Sequence, residues 1–309
     1  MNLKHNQVRQ TVFPILAAFI WGTAFVAQDV CADSMDAFTF NAIRSAIAVV
    51  VLYLYIRLSD ARKQKRHPEA PPQPVDRRKL WVGGFFTGLA LCIASNFQQA
   101  GLGAGTDAGK AGFITALYVV LVPLCGLFFK RKISVSVWIA VALSVVGLYL
   151  LCVSGDFNLS LGDTLILICA FCFTGHILVI DHYTAFVDGV KLSCVQFFFN
   201  AVLSALGMLF FSHPDWNAVL DCALPLLYMG TFSSCVAYTL QILAQKGSNP
   251  TVVTILLSLE SVFAVISGAI ILHQRMTGRE YIGCAVMFVA VVLAQLEIPR
   301  RTKEKRLAE

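Results

Sequence analysis

Residues 165–173 read LILICAFCF and residues 285–294 read AVMFVAVVLA. Neither stretch alternates apolar with polar positions. A membrane barrel strand alternates over about ten residues, because one face meets lipid and the other the lumen. A run that is apolar on every face fits a helix surrounded by lipid and other helices. The stretch VVLYLY at 50–55 has the same character. Working outward, ten such segments can be marked, at about 12–30, 36–56, 80–100, 108–129, 133–153, 160–180, 192–212, 222–244, 250–272 and 278–297. One spanning helix takes about 20 residues. Ten of them use most of the 309 residues and leave no room for a sizeable soluble domain.

Composition agrees. The chain is 57% hydrophobic and 14% charged, with a mean hydropathy of +0.72. Soluble domains carry about 25% charged residues, so an ordinary globular enzyme is excluded. Disorder needs low hydropathy and high charge, and is excluded too. The first segment follows Lys4 and Arg9, as a secretory signal would. Its apolar run is longer than a signal's, and nine further segments follow, so it reads as a retained helix.

The basic residues orient the chain. With a cytoplasmic N-terminus, one side collects Lys4, Arg9, Arg57, Arg62, Lys63, Lys65, Arg66, Arg77, Arg78, Lys79, Lys130, Arg131, Lys132, Lys191, Lys246 and the basic tail from Arg300. The other side receives Lys110, Arg275 and Arg279, and Arg44 falls within a span. Positive charge stays inside, so both termini are expected in the cytoplasm, with a basic cytoplasmic loop at 57–79. That loop is Pro-rich (HPEAPPQP) and reads as a solvated linker. The net charge of +6 then marks orientation, and no nucleic-acid partner is expected. Eight of the ten cysteines (Cys92, Cys125, Cys152, Cys169, Cys172, Cys194, Cys235, Cys284) sit in or at the end of apolar runs, as small buried hydrophobes do. Cys169 and Cys172 form a CxxC, but no second ligand pair completes a zinc site.

The chain divides into halves, 1–154 and 155–309, that echo each other. AAFIWGTAFVAQD (17–29) resembles CAFCFTGHILVID (169–181), and FNAIRSAIA (40–48) resembles FNAVLSALG (199–207). RKIS with Trp138 and Ile139 resembles QRMT with Tyr281 and Ile282. Five spans per half force the second half to enter the membrane from the opposite side. The expected fold is all-α and polytopic: ten transmembrane helices as two inverted five-helix repeats. Secondary transporters share that architecture, with a midplane site at the repeat interface.

Polar side chains are costly in hydrocarbon and usually face a cavity or a partner. Glu260 lies deep in the ninth segment, where it is either a structural carboxylate or a cavity and proton-coupling group. Arg44, with Asn41 and Ser45, either holds a substrate carboxylate, snorkels outward, or pairs with Asp29, Asp33 or Asp36. Tyr238, Gln241 and Gln245 share one helical face, as do Asn96 and Gln99. Trp21, Phe25 and Gln28 form another, and Thr115 and Tyr118 lie in the fourth segment. Such faces serve a shared cavity or interhelical bonding. His176 is either a satisfied interhelical bond or a proton relay for Glu260. Gly84 and Gly88 read as a packing GxxxG. Gly101, Gly103 and Gly105 lack the strand–helix context of a dinucleotide site. No catalytic motif appears, and neither an enzyme nor a cofactor or metal is expected.

WGTAF (21–25), FNAIR (40–44), KAGFITALYVVLVP (110–123) and LESVFAVISG…LHQRMT (259–277) resemble the EamA-type branch of the drug/metabolite transporter superfamily. The resemblance spans about residues 12–297. It implies alternating access through a central cavity lined by the first four helices of each half, with the fifth and tenth set apart. It implies a bacterial plasma-membrane exporter or exchanger of amino acids and other small metabolites. By position, Trp21, Arg44, Pro123 and Glu260 match recurrent family residues. Ser261 stands where the family often has Pro, and Gln274 where it often has an acid. The expected partners are a small-molecule substrate and the lipid bilayer. Proton coupling, uncoupled exchange and a non-transporting accessory role stay open, as do the monomer and the dimer.

Overall fold

The computed structural model describes residues 3–32, 34–66, 76–106, 108–128, 130, 133–153, 160–271 and 276–296. The Pro-rich stretch 67–74, Arg131, Lys132, Gln274, Arg275, the tail from 297 and the division at 154/155 lie outside them. So do Asp33 and the side chain of Asp29.

The described residues form helices and no strand. In chain order these are α1 (Leu3–Ala32), α2 (Ala37–Arg66), α3 (Arg77–Gly103), α4 (Ala108–Thr115), α5 (Tyr118–Phe128), α6 (Val135–Cys152), α7 (Leu161–Tyr183) and α8 (Gly189–Phe211). Then follow α9 (Trp216–Asp221), α10 (Ala223–Tyr228), a π-helical segment (Met229–Ala237), α11 (Tyr238–Gln245), α12 (Pro250–Leu257), α13 (Leu259–Ile271) and α14 (Gly278–Gln295). Nine helical stretches among the described residues are long and apolar enough to cross a membrane, and α1 is a further helix of 30 residues. The outer surface carries Phe128, Leu209, Phe210 and Phe211, each more than two-thirds exposed. A band of that kind is stable only against lipid.

The sequence punctuates these helices where physics expects it. Ser160 caps α7 reciprocally with Asp163, and Thr277 caps α14 with Glu280. Asn249 caps α12, with Pro250 in the first turn, where its missing N–H costs nothing. Helix α2 runs on to Arg66, ten residues into the stretch read as a loop at 57–79. Its last turn holds Lys63, Lys65 and Arg66, cations that suit a helix C-terminus.

Two spans are broken. The apolar stretch Lys110–Phe128 divides at Ala116 and Leu117 into α4 and α5, and Pro250–Ser267 divides at Ser258 into α12 and α13. The Ser258 hydroxyl donates to the Ile255 carbonyl (2.8 Å), and Ser261 N–H reaches back to the Ser258 carbonyl (3.3 Å), a tightened turn. The stretch Ala223–Gln245 is α10, the π segment and α11 in series. Single π turns inside α-helices concentrate at functional sites.

Helix α2 lies along α8, α3 along α7 and α8, α1 along α13 and α11, and α6 along α14. Small residues set several of these distances. A Cβ on Gly88 would come within 2.6 Å of the Gln196 carbonyl oxygen and one on Gly84 within 2.3 Å of Val195, so the GxxxG packs α3 on α8. Gly283 of α14 sits on the Gly147 carbonyl of α6 in the same way. At one end of the bundle, Ser212 bonds Asp36 (2.6 Å) and Lys110 pairs with Asp163 (2.6 Å). The opposite end is basic. There Lys191 pairs with Asp60 (3.1 Å), and Arg9 donates to the Lys246 carbonyl (2.9 Å).

Candidate functional site

Polar side chains from both halves converge on one cavity of ≈ 50 Å³. Its lining includes Trp21, Ala24, Phe25 and Gln28 from α1, Arg44 from α2, Gln98 from α3, Thr115 from α4 and Tyr118 from α5. The second half adds Phe173 and Ile177 from α7, Ser233 from the π segment, Tyr238 and Gln241 from α11, Leu257 from α12 and Glu260 from α13. Helices α6 and α14 contribute no side chain to this lining.

One wall is aromatic. The Trp21 ring meets Tyr238 edge-on at 4.8 Å, and its indole N–H donates to the Ser233 carbonyl (3.3 Å). Aromatic pairs favour such edge contacts. A second wall is amide. Gln28 donates to Gln98 Oε1 (3.2 Å), and Gln98 donates to Thr115 Oγ1 (3.2 Å), linking α1, α3 and α4. Gln241 is buried, and its Oε1 has no partner among the described residues. An acceptor in that state costs free energy until something donates to it.

Two ionisable groups face the same space. Arg44 is 3% exposed. Its Nε donates to Asn41 Oδ1 (2.8 Å), and its guanidinium lies 5.2 Å from the Phe40 ring centroid. Among the described residues no carboxylate pairs with it. Asp36 is engaged by Ser212 and Thr39 instead. Burial also removes the reading in which Arg44 snorkels outward. Glu260 is 5% exposed and sits in the first turn of α13, just past the break. Tyr118, in the first turn of α5 past the other break, donates to its Oε1 (3.3 Å). The two broken spans thus meet through one hydrogen bond at the cavity.

The remaining expected residues stand behind the wall. Asn96 donates to Ser204 Oγ (3.1 Å) and to the Cys92 carbonyl (2.8 Å), and accepts from Asn41 (3.3 Å). Asn200 donates to Ser45 Oγ (3.0 Å) and accepts from Ser204 (3.2 Å), closing a polar belt between α2, α3 and α8. Asn41 with Ser45 and Asn200 with Ser204 are the matching residues of the two FNA motifs, so these motifs meet face to face. Gln99 donates to the Gln28 carbonyl (3.4 Å), and Gln245 to the Ile177 carbonyl (2.9 Å). His176 Nε2 bonds Gln196 Oε1 (3.1 Å), and its ring meets Tyr238 edge-on at 6.0 Å. It reaches the cavity through that tyrosine and shares no hydrogen bond with Glu260. Sequence reading missed Ala24, Gln98, Phe173, Ile177, Ser233 and Leu257. Gln98 had a visible signal, as one of three amides in SNFQQA. Cys169 and Cys172 are free thiols.

A polytopic helical bundle that buries an arginine, a glutamate and a tryptophan around one cavity, inside a lipid-facing surface, has the build of a membrane transporter. The EamA-like transporter family model matches the chain twice, over residues 11–153 and 160–296, and the chain belongs to that family. It is 31% identical over 289 residues to a protein of Archaeoglobus fulgidus described as an uncharacterized transporter, covering 92% of this chain and 84% of that one. It is 23% identical over 312 residues to the uncharacterized transporter YwfM of Bacillus subtilis, covering 96% and 97%. A solved crystal structure superposes with a TM-score of 0.75 at 18% identity, covering 94% of this chain and 98% of that chain, and so shares the fold.

Proposed function

We propose that this membrane transporter is a secondary exporter of small zwitterionic metabolites of the amino-acid type, working by alternating access in a bacterial plasma membrane. The observation that carries the reading is the pair Arg44 and Glu260, both nearly fully buried and both open to one cavity beside Trp21. A guanidinium with no carboxylate partner among the described residues suits a solute carboxylate held bidentately. Glu260 would receive the ammonium group and act as the proton-responsive element. Trp21 and Phe25 would pack the apolar part, while Gln28, Gln98, Thr115, Tyr238 and Gln241 complete its hydrogen bonds. His176 would act through Tyr238, and Asn96, Gln99 and Gln245 would hold the wall in place.

On this reading α1 is a tenth span, and the halves are inverted repeats with both termini cytoplasmic. The pairings support it. In a pseudo-two-fold arrangement the second and seventh spans pair with each other, as α2 and α8 do, and so do the fifth and tenth, as α6 and α14 do. The remaining contacts exchange in kind: α3 on α7 corresponds to α11 on α1, and α1 on α13 to α7 on α5.

The test is flux in proteoliposomes. Glu260→Gln is expected to lose the pH dependence of transport and, with the ammonium's carboxylate partner gone, to give a smaller ligand-dependent thermal shift than wild type, since binding the folded state raises its stability by mass action. Full pH-dependent flux in Glu260→Gln removes the coupling role. Flux that needs internal counter-substrate and ignores pH identifies an uncoupled exchanger.

A further inference from the structure

Two cysteines fall outside the group of eight assigned to apolar runs: Cys31, the next-to-last residue of α1, and Cys222, the corner residue between α9 and α10. They are separated by most of the chain, yet both are buried in one small cluster with Met35, Phe40, Leu226 and Met229. Their thiols interact side chain to side chain. Packing alone does not ask for this, because a small hydrophobe of any kind fills the space.

Their place in the fold adds the chemistry. Cys31 precedes Asp36 by a short turn, and Cys222 follows Ser212 by one short helix, and Asp36 and Ser212 bond each other. The pair therefore lies at the end of the bundle opposite the basic end. Positive residues mark the cytoplasmic side, so this end faces outward, where disulfides form and persist.

Both are free thiols in this structure, and we propose that they close to a disulfide that ties the outer end of α1 to the α9–α10 corner. The oxidant is a disulfide of the thiol-oxidoreductase or glutathione class. One cysteine thiolate attacks it and releases the first thiol. The second cysteine then displaces the mixed disulfide and releases the other. Two cysteine S–H bonds and one donor S–S bond are exchanged for one protein S–S bond and two donor thiols, so atoms and electrons balance. Because both sulfurs are closed off from solvent in the packed cluster, exchange takes place during insertion or when that corner opens. Once made, the bond is shielded from reductant.

The consequence is mechanical. Helix α1 carries Trp21, Phe25 and Gln28, and the corner leads through the π segment to Tyr238 and Gln241. The bond makes these two walls of the cavity one body at their outer end, so that movement between them is confined to the basic end. Cys194 and Cys235 are also neighbours. They belong to the interior of spanning segments, and no bond is expected there.

Membranes are quenched with acid, denatured and alkylated without reductant, and the digested protein is mapped by mass spectrometry. The expected product is the Cys31 peptide joined to the Cys222 peptide, two hydrogens lighter than the separate pair and lost on reduction. Alkyl groups on both Cys31 and Cys222 in most molecules overturn the proposal, as does either residue joined to another cysteine. A second arm uses purified, reduced full-length protein with oxidised glutathione. Closure of Cys31 with Cys222, accompanied by release of glutathione, is expected. Glutathione left on both residues overturns the pairing itself. Closure in detergent, with free thiols in membranes, overturns the bond in the cell and directs the fault to the orientation of the bundle rather than to the contact.

Discussion

Gln98 links α1, α3 and α4 through its two bonds, to Gln28 and Thr115. Removing it leaves a buried amide and a buried hydroxyl each short of a partner, at about 1–3 kcal/mol per unsatisfied group. Gln98→Ala is therefore expected to lower stability by about that much and to weaken ligand binding, read as a smaller ligand-induced rise in Tm. Asp36 acts differently, because it lies outside the spans. Burial pushes its carboxyl pKa up, but hydrogen bonds from Ser212 and Thr39 outweigh this and hold it below the usual value of 3.8. A depressed folded-state pKa stabilises above the unfolded value and is lost as pH falls through the folded one. Asp36→Asn is expected to cost less than about 1 kcal/mol at neutral pH, since the group is partly solvated and screened. The difference in Tm between wild type and variant should begin to shrink as pH falls through about 4 and vanish only once pH is below the depressed folded-state value. An unchanged difference at lower pH refutes the assignment.

At the scale of elements, the crossing of α1 on α13 carries the site. A Cβ on Gly22 would stand 2.7 Å from the Glu260 carbonyl oxygen, 2.8 Å from the Ala264 nitrogen and 2.5 Å from Phe263 Cβ. Two of these are backbone atoms, so the helices must move apart. Gly22→Ala is expected to cost about 1–3 kcal/mol, as overpacked cores do, and to slow transport more than Gly88→Ala at the α3–α8 crossing. Equal effects on flux contradict a special role for the α1–α13 contact. The elements also mark how far the sequence could be read. Apolar runs located the spans, because each is uniform over a length that lipid demands. The breaks at 116–117 and 258 and the π segment were not legible, since they change backbone geometry without interrupting hydropathy. The same limit applied to SNFQQA. Asn96 and Gln99 share a face, but Gln98, about 200° around the helix from Asn96, is the residue that meets the cavity. Periodicity sorts faces, and only packing says which neighbour each face meets. Trp21, Phe25 and Gln28 were legible because one face of α1 turns wholly toward the cavity.

For the molecule as a whole, lipid requires every span to close its own backbone hydrogen bonds. Buried polar side chains are then free to cluster between the halves, as the FNA motifs and the cavity do. The central claim is that this cavity carries a carboxylate-bearing solute on Arg44. Counterflow in proteoliposomes loaded with unlabelled amino acids tests it most directly, comparing wild type with Arg44→Ala after confirming that both melt cooperatively. Wild type should accumulate labelled substrate transiently, and Arg44→Ala should be slower by about tenfold or more, the equivalent of losing one charge-assisted hydrogen bond. Wild-type rates in Arg44→Ala, or no counterflow of any carboxylate-bearing solute by folded wild type, would contradict the account.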